Sequence, residues 1–297
     1  MLPAGIRAFY DFLETSVHTR RLEEEALEKS GSEQDGKRKD MFHYLFKTRN
    51  EDGTPAYSTN ELHAEANLLV VAGSDTTAIA LCTFWFYIVR RSYCYDKLAK
   101  EIRETFARAE DIKSGPQLAG CKYLQASINE ALRLGPAGGS EGGREVLPGG
   151  LTVPSSATSS SPERHIPSGI EVGVGLWALN HHEASYGDPW VFRPERWIVD
   201  PSNGVSEEAV ERAKEAFNPF LIGAGNCVGQ KLATNELLVA VARMLWGMDV
   251  RLKAGDRTGG GKEELGWGCR DPEHFNLRDF YVSQRDGPMV EFRRRVV

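Results

Sequence analysis

One cysteine, Cys227, lies in a glycine-rich segment, FLIGAGNCVG, directly before a stretch in which apolar side chains recur at helical spacing. The cysteine therefore falls at or just ahead of a helix start, where unpaired N–H groups and the positive end of the helix dipole favour a thiolate. Gly223, Gly225 and Gly229 leave the backbone bare, so a large flat group can approach it closely. The segment indicates a thiolate presented to a bulky ligand; taken alone, it is also compatible with a buried structural cysteine in a glycine turn.

A run of small polar residues, AGSDTT, interrupts the most apolar segment of the chain around Asp75 and Thr76. Polar groups in a buried helix need partners, and Ser or Thr hydroxyls can bond the carbonyl one turn back and loosen the helix locally. This would open a polar groove able to hold water and pass protons. The alternative interpretation is a helix interface packed through small residues.

Glu130 and Arg133 are three residues apart in NEALRL and so share one face of a helix, where a carboxylate and a guanidinium can pair. Their leucine and isoleucine neighbours suggest partial burial, and Arg196, in FRPERW, is a candidate third partner. Buried charges of this kind persist as a complete network. On a surface, the same pair would be ordinary helix decoration.

The elements that must position these residues are mostly helices, and the predicted class is mainly α with small β-sheets, that is α+β. Ser58 and Glu61 have the spacing of a capping box at the start of a long apolar helix, and GIEVGVGLW alternates as a strand does. Exposed loops are predicted over 30–40 and 153–167. We predict one partial domain over 1–297, with a charge-rich helix over 1–30, a long central helix over about 58–90, a helix over about 117–134, a β-rich and loop region over about 144–200, and the cysteine loop with its helix over about 217–248.

Composition describes an ordinary globular chain, because 41% of its 297 residues are hydrophobic and its formal net charge is -6. This charge argues against a nucleic-acid binder. Five widely spaced cysteines without a CxxC pair argue against a disulfide framework or a zinc ribbon. The long apolar helix could span a membrane by length, but Asp75 at its centre would cost about 2.5–3.5 kcal/mol in lipid, so a core helix fits better.

The four motifs AGSDTT, EALR, FRPERW and FLIGAGNCVG occur in the order, and close to the spacings, of the cytochrome P450 family of heme-thiolate monooxygenases. From about Arg38 onward, the chain resembles fungal microsomal-type members of that family. The resemblance implies a cytochrome P450-like fold without its N-terminal helices, a heme b cofactor, and insertion of one oxygen atom of O2 into an apolar small-molecule substrate. It also implies electrons from an NADPH-dependent flavoprotein reductase and a place in fungal secondary metabolism or detoxification. The full-length enzyme would lie at the endoplasmic reticulum membrane, whereas this chain, with no recognisable anchor, would alone be cytoplasmic.

The same resemblance implies a role for each motif residue. Cys227 would be the axial ligand of the heme iron, and Phe220, Gly223 and Gly229 would shape the loop beneath the porphyrin. Arg144, in GGREVLPGG, matches an arginine that meets a heme propionate. Asp75 and Thr76 would form a distal proton relay. Glu130, Arg133 and Arg196 would form a buried charge network.

Two departures from the family pattern carry further expectations. The family has an arginine two residues before the cysteine, whereas this chain has Gly225, so a charge-assisted contact of roughly 1.5–3 kcal/mol is lost unless another residue replaces it. Only a short segment precedes Ser58, so we expect the C-terminal portion of such an enzyme, holding heme weakly and turning over no substrate. Exposed apolar surface is then expected around Phe84, Trp85 and Phe86.

Three alternatives compete with an active monooxygenase. The first is a truncated, heme-poor and inactive remnant of such an enzyme. The second is a cysteine hydrolase, in which His181 or His182 would activate Cys227. The third is a metal site formed by His181, His182 and Glu183, although adjacent residues cannot easily share one metal. For these histidines we predict a solvated loop.

Overall fold

The computed structural model describes residues 3–30, 39–139, 142–155, 162–266, 268–280 and 282–295. The described residues form ten α-helices and six short strands, together with a few 3-10 turns. The helices are α1 Ala4–Ser30, α2 Met41–Lys47, α3 Thr59–Ile88, α4 Ser92–Thr105, α5 Pro116–Ala119, α6 Lys122–Leu134, α7 Leu176–Asn180, α8 Glu183–Tyr186, α9 Glu207–Ala216 and α10 Gln230–Gly247. The strands are β1 Arg144–Glu145, β2 Leu151–Val153, β3 Arg164–Ile166, β4 Glu171–Val172, β5 Met248–Leu252 and β6 Val290–Arg294.

The strands form three small antiparallel sheets, in which β1 pairs with β4, β2 with β3 and β5 with β6. Helices make up most of the regular structure, so the predicted class, mainly α with small β-sheets, is confirmed. Of the two predicted loops, over 30–40 and 153–167, residues 31–38 and 156–161 lie outside the described residues. The second loop prediction is wrong at Arg164–Ile166, because these residues pair with β2 as strand β3. Backbone proximity divides the chain into two compact units, Met1–Ser74 and Asp75–Val297, and the boundary falls within α3. The single partial domain over 1–297 stays a prediction.

The first unit has a small core of its own, formed where α1, α2 and the start of α3 pack together around Val17, Leu62 and Ala66. The predicted capping box starts α3 as expected. The Ser58 N–H donates to the Glu61 carboxylate at 2.7 Å, and the Glu61 N–H donates to the Ser58 hydroxyl at 3.3 Å. These two bonds satisfy backbone donors that the first helical turn would otherwise leave unpaired.

The core of the second unit is built on the C-terminal half of α3, with α4, α6 and α10 packed around it. Phe84, Trp85 and Phe86 are buried there, so the expectation of exposed apolar surface around them is wrong. Segments far along the chain cover these rings. Phe292 packs edge-on against Trp85 with ring centroids 6.0 Å apart, and Phe275 lies 4.9 Å from Phe86. The local sequence pattern does not predict the burial of these rings, because the contacts join residues that are remote in sequence.

One helix in the described part of the chain, α3, is long and apolar enough to cross a membrane by length and composition. A core helix passes the same test. The apolar side chains from Ile79 onward belong to the core of the second unit. Those at Leu68, Val70 and Val71, in the first unit, are exposed.

The helix predicted over about 117–134 is in fact two helices, α5 and α6, separated at Gly120 and Cys121. The reason is a tertiary cap. The Glu101 carboxylate on α4 accepts the N–H groups of Tyr123 and Leu124, both at 2.9 Å, and so satisfies the first turn of α6. A negative charge at this position also interacts favourably with the helix dipole. The start of the helix that carries Glu130 is therefore set by a residue on another element.

The strand predicted from GIEVGVGLW ends early, since β4 stops at Val172 and α7 begins at Leu176. Trp177 and His181 are four residues apart and stack with ring centroids 4.3 Å apart, which favours helical spacing. The region over about 144–200 is thus β-structured only in its first half. Its second half consists of short helices and turns that lie against α6.

Candidate functional site

Cys227 is exposed in the loop between a 3-10 turn, Gly223–Gly225, and the start of α10. The loop folds back on itself, because the Cys227 N–H donates to the Phe220 carbonyl at 2.9 Å. Phe220 packs against the core of the second unit and anchors the beginning of the loop. Gly223 has φ +67°, a left-handed conformation that suits glycine. The thiol is thereby presented outward at the N-terminal end of an 18-residue helix.

Leu221, in the same loop, also has a left-handed backbone, with φ 60°. A leucine in this conformation costs roughly 1–2 kcal/mol, because its Cβ approaches the following carbonyl oxygen. The turn is closed by the Leu221 N–H, which donates to the Asn218 carbonyl at 3.0 Å. Leucine is not a typical turn residue, so this conformation could not be predicted from the residue type. Strain of this kind is often stored next to functional groups.

The surface around the thiol suits a large flat hydrophobic ligand. Ile222 is 72% exposed and Val228 is fully exposed, so apolar side chains flank Cys227. A Cβ added at Gly229 would lie 3.7 Å from the Cys227 Sγ, in ordinary van der Waals contact, so Gly229 lies directly beside the sulfur. A thiolate is a ligand for a soft metal. The loop can therefore hold a metal in a flat apolar macrocycle.

The structure brings Arg144 to the cysteine loop, although more than eighty residues separate them in sequence. A Cβ added at Gly225 would lie 3.0 Å from the Arg144 Nη2. The opposite nitrogen, Nη1, donates to the carbonyls of Gly142 and Gly143 at 2.9 and 3.1 Å. A guanidinium in this place can bind a carboxylate. The donor set, a thiol and a nearby guanidinium, fits an iron porphyrin with carboxylate side chains.

Glu130 is fully buried and accepts hydrogen bonds from both predicted arginines. Its carboxylate binds Arg133 in a bidentate manner, at 2.8 and 3.0 Å, and Arg196 Nε at 2.9 and 3.0 Å. Trp197 Nε1 and the Arg193 N–H also donate to it, at 3.0 and 2.9 Å. Burial alone would raise the pKa of Glu130, but the guanidinium groups of Arg133 and Arg196 hold it below its ordinary value.

The arginines also use their remaining N–H groups. Arg133 Nη1 donates to the carbonyls of Asn180 and Pro189, both at 2.7 Å. Arg196 Nη2 donates to the carbonyls of Asp188 and Val191, both at 3.0 Å. The Glu130 network therefore ties α6 to the chain between Asn180 and Trp197. The sequence pointed to the three charged residues, but Trp197 and the backbone N–H of Arg193 were missed, since an indole has no charge pattern to reveal its partner.

Asp75 and Thr76 lie at the start of the part of α3 that belongs to the second unit. Asp75 is exposed, Thr76 is half-buried and Thr77 is buried. About two turns further on, outside the AGSDTT motif, the Thr83 hydroxyl donates to the Ile79 carbonyl at 2.9 Å. The proton relay through Asp75 and Thr76 stays a prediction.

His181 is buried, so the prediction of a solvated loop is wrong for this residue, whereas His182 is exposed. The His181 ring lies against Trp177, Trp190 and His274. Its Nδ1 bonds the Trp177 carbonyl at 2.8 Å and its Nε2 is enclosed without a partner among the described residues. Neither nitrogen forms a hydrogen bond with Cys227, which argues against His181 as the base of a cysteine hydrolase. Burial lowers the pKa of His181 to about 3 and that of His274 to about 4.

Comparison with known proteins agrees with the motifs. The family model for cytochrome P450 matches residues 11–258. The chain is 35% identical to the cytochrome P450 monooxygenase fscF of Fusarium equiseti, over 98% of this chain and 52% of that protein. It is 36% identical to the cytochrome P450 monooxygenase apf7 of Gibberella fujikuroi, over 99% of this chain and 53% of that protein. It therefore spans about half the length of these curated relatives.

The fold agrees as well. A crystal structure of a cytochrome P450, CYP102L1, superposes with a TM-score of 0.70 at 18% identity, over 98% of this chain and 56% of that chain. The resemblance drawn from the four motifs is thus confirmed, both by the family match and by the fold. The chain belongs to the cytochrome P450 family.

Proposed function

We propose that this chain carries the heme-thiolate centre of a monooxygenase, which inserts one oxygen atom of O2 into an apolar organic substrate. The observation that carries the proposal is the exposed Cys227 thiol at the start of α10, flanked by apolar side chains and by the Arg144 guanidinium. Relatives named cytochrome P450 monooxygenases support it. The cofactor we propose is heme b, and the electron donor is an NADPH-dependent flavoprotein reductase at the endoplasmic reticulum membrane.

In this proposal, the residues of the cysteine loop bind and orient the cofactor. Cys227 would hold the iron through its thiolate, and Arg144 would bind a carboxylate of the porphyrin. Phe220 anchors the loop to the core, Gly223 provides the turn, and Gly229 lies beside the sulfur. When bound, the heme supplies the activation of O2, and a thiolate ligand favours cleavage of the O–O bond.

Proton delivery is assigned to Asp75 and Thr76. Asp75 is exposed, so its carboxylate is accessible to water. The neighbouring hydroxyl of Thr76 can accept a proton and donate another one. Positioned proton donors of this kind contribute about 10²–10⁴-fold to a rate. The Glu130 network has a structural role in this proposal, because it fixes the segment between Asn180 and Trp197 on α6.

The test is the absorption spectrum of the hemin-loaded chain, reduced and exposed to carbon monoxide. Thiolate-ligated heme gives a strongly red-shifted Soret band, and we expect this band in the wild type and in Cys269→Ser, which replaces another partly accessible thiol. Cys227→Ser should lose the band. A band that survives in Cys227→Ser would show that another residue binds the iron. A wild-type spectrum without the band would favour the heme-poor remnant instead.

A further inference from the structure

A pair of metal-ligating side chains lies outside the cysteine loop. His181, directly after α7, and His274, more than ninety residues later in the chain, are both buried. Their ring centroids are 5.1 Å apart and their ring planes are inclined at 72°. The Nε2 atoms of both rings are enclosed and have no hydrogen-bond partner among the described residues. Buried polar atoms are rarely left unpaired, so two such nitrogens on neighbouring rings need an explanation.

The other ring nitrogen of each histidine already has a partner. His181 Nδ1 bonds the Trp177 carbonyl at 2.8 Å, and because a carbonyl only accepts, the proton lies on Nδ1 and Nε2 keeps its lone pair. His274 Nδ1 lies 3.1 Å from the Tyr87 hydroxyl, which can accept or donate and therefore suits the same tautomer. Histidines that bind a metal are held in this way, with one nitrogen on an outer partner and the other one free for the ion.

The distance between the two rings distinguishes the possible ligands. Two imidazoles that bind one metal through Nε2 at about 2.0–2.1 Å, at the tetrahedral angle, have ring centres about 5.2 Å apart. A linear two-coordinate ion, or a water molecule that bridges the two nitrogens, would separate the ring centres by about 6 Å or more. The observed separation of 5.1 Å therefore matches a tetrahedral ion.

The surroundings suit a metal bound by neutral imidazoles. Burial lowers the pKa of both histidines, so they are uncharged at neutral pH, which is the form that binds metals. The Asp271 carboxylate is near enough to His274 to oppose this effect, and it supplies negative charge. The positive charge of Arg133 is compensated by its ion pair with Glu130. Trp190 packs against both rings, with centroid distances of 4.6 and 5.3 Å, and is itself 49% exposed, so the pair lies just beneath the surface.

We propose that His181 and His274 form a two-histidine site for a divalent transition-metal ion such as Zn²⁺. Imidazole is a ligand that suits zinc, copper and nickel. In the described part of the chain, no third His, Cys, Asp or Glu side chain is placed to join them, so water or another small ligand completes the coordination. The sequence suggested adjacent residues as partners of His181, whereas the structure pairs it with a distant one. The ion links α7 to the segment that carries His274, and the proposal does not depend on a ligand at Cys227.

The experiment is a calorimetric titration of the full, heme-free chain with Zn²⁺. The parent protein carries Cys227→Ser, so that the exposed thiol does not compete for the metal. We expect one Zn²⁺ per chain, bound at least about 10-fold more weakly in His181→Gln and in His274→Gln. His182→Gln, at the exposed neighbouring residue, should bind as the parent does. Zn²⁺ should also raise the unfolding temperature of the parent and of His182→Gln, but not that of the other two variants.

X-ray absorption of the Zn²⁺-loaded parent keeps the test independent of how well the variants fold. The spectrum should show nitrogen or oxygen neighbours at about 2.0–2.1 Å, together with the outer-shell scattering of two imidazole rings. The proposal is overturned if the parent does not bind Zn²⁺, if His181→Gln and His274→Gln bind it unchanged, or if the spectrum shows sulfur or fewer than two imidazoles. None of these results bears on the proposed function, which the spectrum of the hemin-loaded chain tests separately.

Discussion

The Glu130 network and the Cys227 loop are two polar regions of the same compact unit, but they differ in whether their side chains are paired within the protein. The donors around the Glu130 carboxylate are buried or partly buried, and each is paired within the protein. The loop instead exposes its thiol and its apolar side chains, and pairs mainly its own backbone. The hydrogen bonds and ion pairs of the network are therefore complete once the chain has folded, whereas the loop presents side chains that are available to bind a ligand.

This difference determines how strongly substitutions in each region change the free energy of unfolding. Removing one member of a buried charge network leaves its partners uncompensated, which costs about 3–5 kcal/mol of stability. Substitution at an exposed position changes stability by about 0.5 kcal/mol or less. Polar and charged groups thus stabilise the fold in the Glu130 network, whereas in the Cys227 loop they are available for ligand binding. Four substitutions test this comparison through the free energy of unfolding, from the largest effect to the smallest.

Glu130→Ala should lower the free energy of unfolding by about 3–5 kcal/mol, because the guanidinium groups of Arg133 and Arg196 would be buried without their counter-charge. Denaturant unfolding measures the change, and poor solubility would be its extreme form. Glu236→Ala, on the exposed face of α10, is the matched control and should have little effect. A stable, soluble Glu130→Ala protein would show that the network does not contribute substantially to stability.

The paired histidines His181 and His274 form an intermediate case, since both are buried but their Nε2 atoms lack partners among the described residues. Burial holds their pKa values at about 3 and about 4, below the ordinary value of 6.5. The unfolded chain therefore binds more protons than the folded chain as the pH falls below about 6.5. Stability is lost in that direction, down to pH 4 for His274 and pH 3 for His181, by up to about 1.4 kcal/mol per pH unit for each.

Unfolding measured at pH 6.5, 5.5 and 4.5 would detect this loss. His274→Gln keeps a hydrogen-bonding group for the Tyr87 hydroxyl and removes one titrating site, so its stability should fall less steeply with acid. His182→Gln, at the exposed neighbour of His181, should follow the wild-type curve. Parallel curves for wild type and His274→Gln would mean that His274 does not contribute to acid sensitivity.

Leu221→Gly tests the strain in the cysteine loop. Glycine removes the left-handed penalty at φ 60° but is more flexible in the unfolded chain, so a net gain of roughly 0.5–1 kcal/mol is expected. Ile222→Gly is the matched control, because Ile222 is also exposed but has an extended backbone with φ -139°. It should lose stability instead. Equal losses in the two variants would show that the Leu221 conformation is not strained.

Cys227→Ser should have the smallest effect on unfolding, within about 0.5 kcal/mol, because the thiol is exposed and makes no side-chain hydrogen bond in the described structure. The same substitution should abolish the thiolate spectrum of the hemin-loaded chain. Cys94→Ser, at a buried thiol in the core, is the opposite control and should destabilise the protein. A strong loss of stability in ligand-free Cys227→Ser would contradict the assignment of this loop to binding.

The sequence by itself determined the parts that depend on neighbours within a few residues. The Ser58–Glu61 capping box, the pairing of Glu130 with Arg133 on one helical face, and the position of Cys227 just before a helix all follow from the geometry of 3.6 residues per turn. The family resemblance followed from the order of the four motifs. These features need no knowledge of the rest of the chain, because their contacts span one turn or one loop.

Tertiary structure decided the contacts between residues far apart in the chain. Glu101 caps α6 from α4, Trp197 completes the Glu130 network, and Phe275 covers Phe86. The placement of Arg144 beside Gly225 belongs to the same class. Composition and periodicity describe which face of an element is apolar, but they do not specify which distant segment will cover that face or which charge will reach it. Those choices are made when the elements pack, since only then do burial and pairing of polar groups have to be satisfied together.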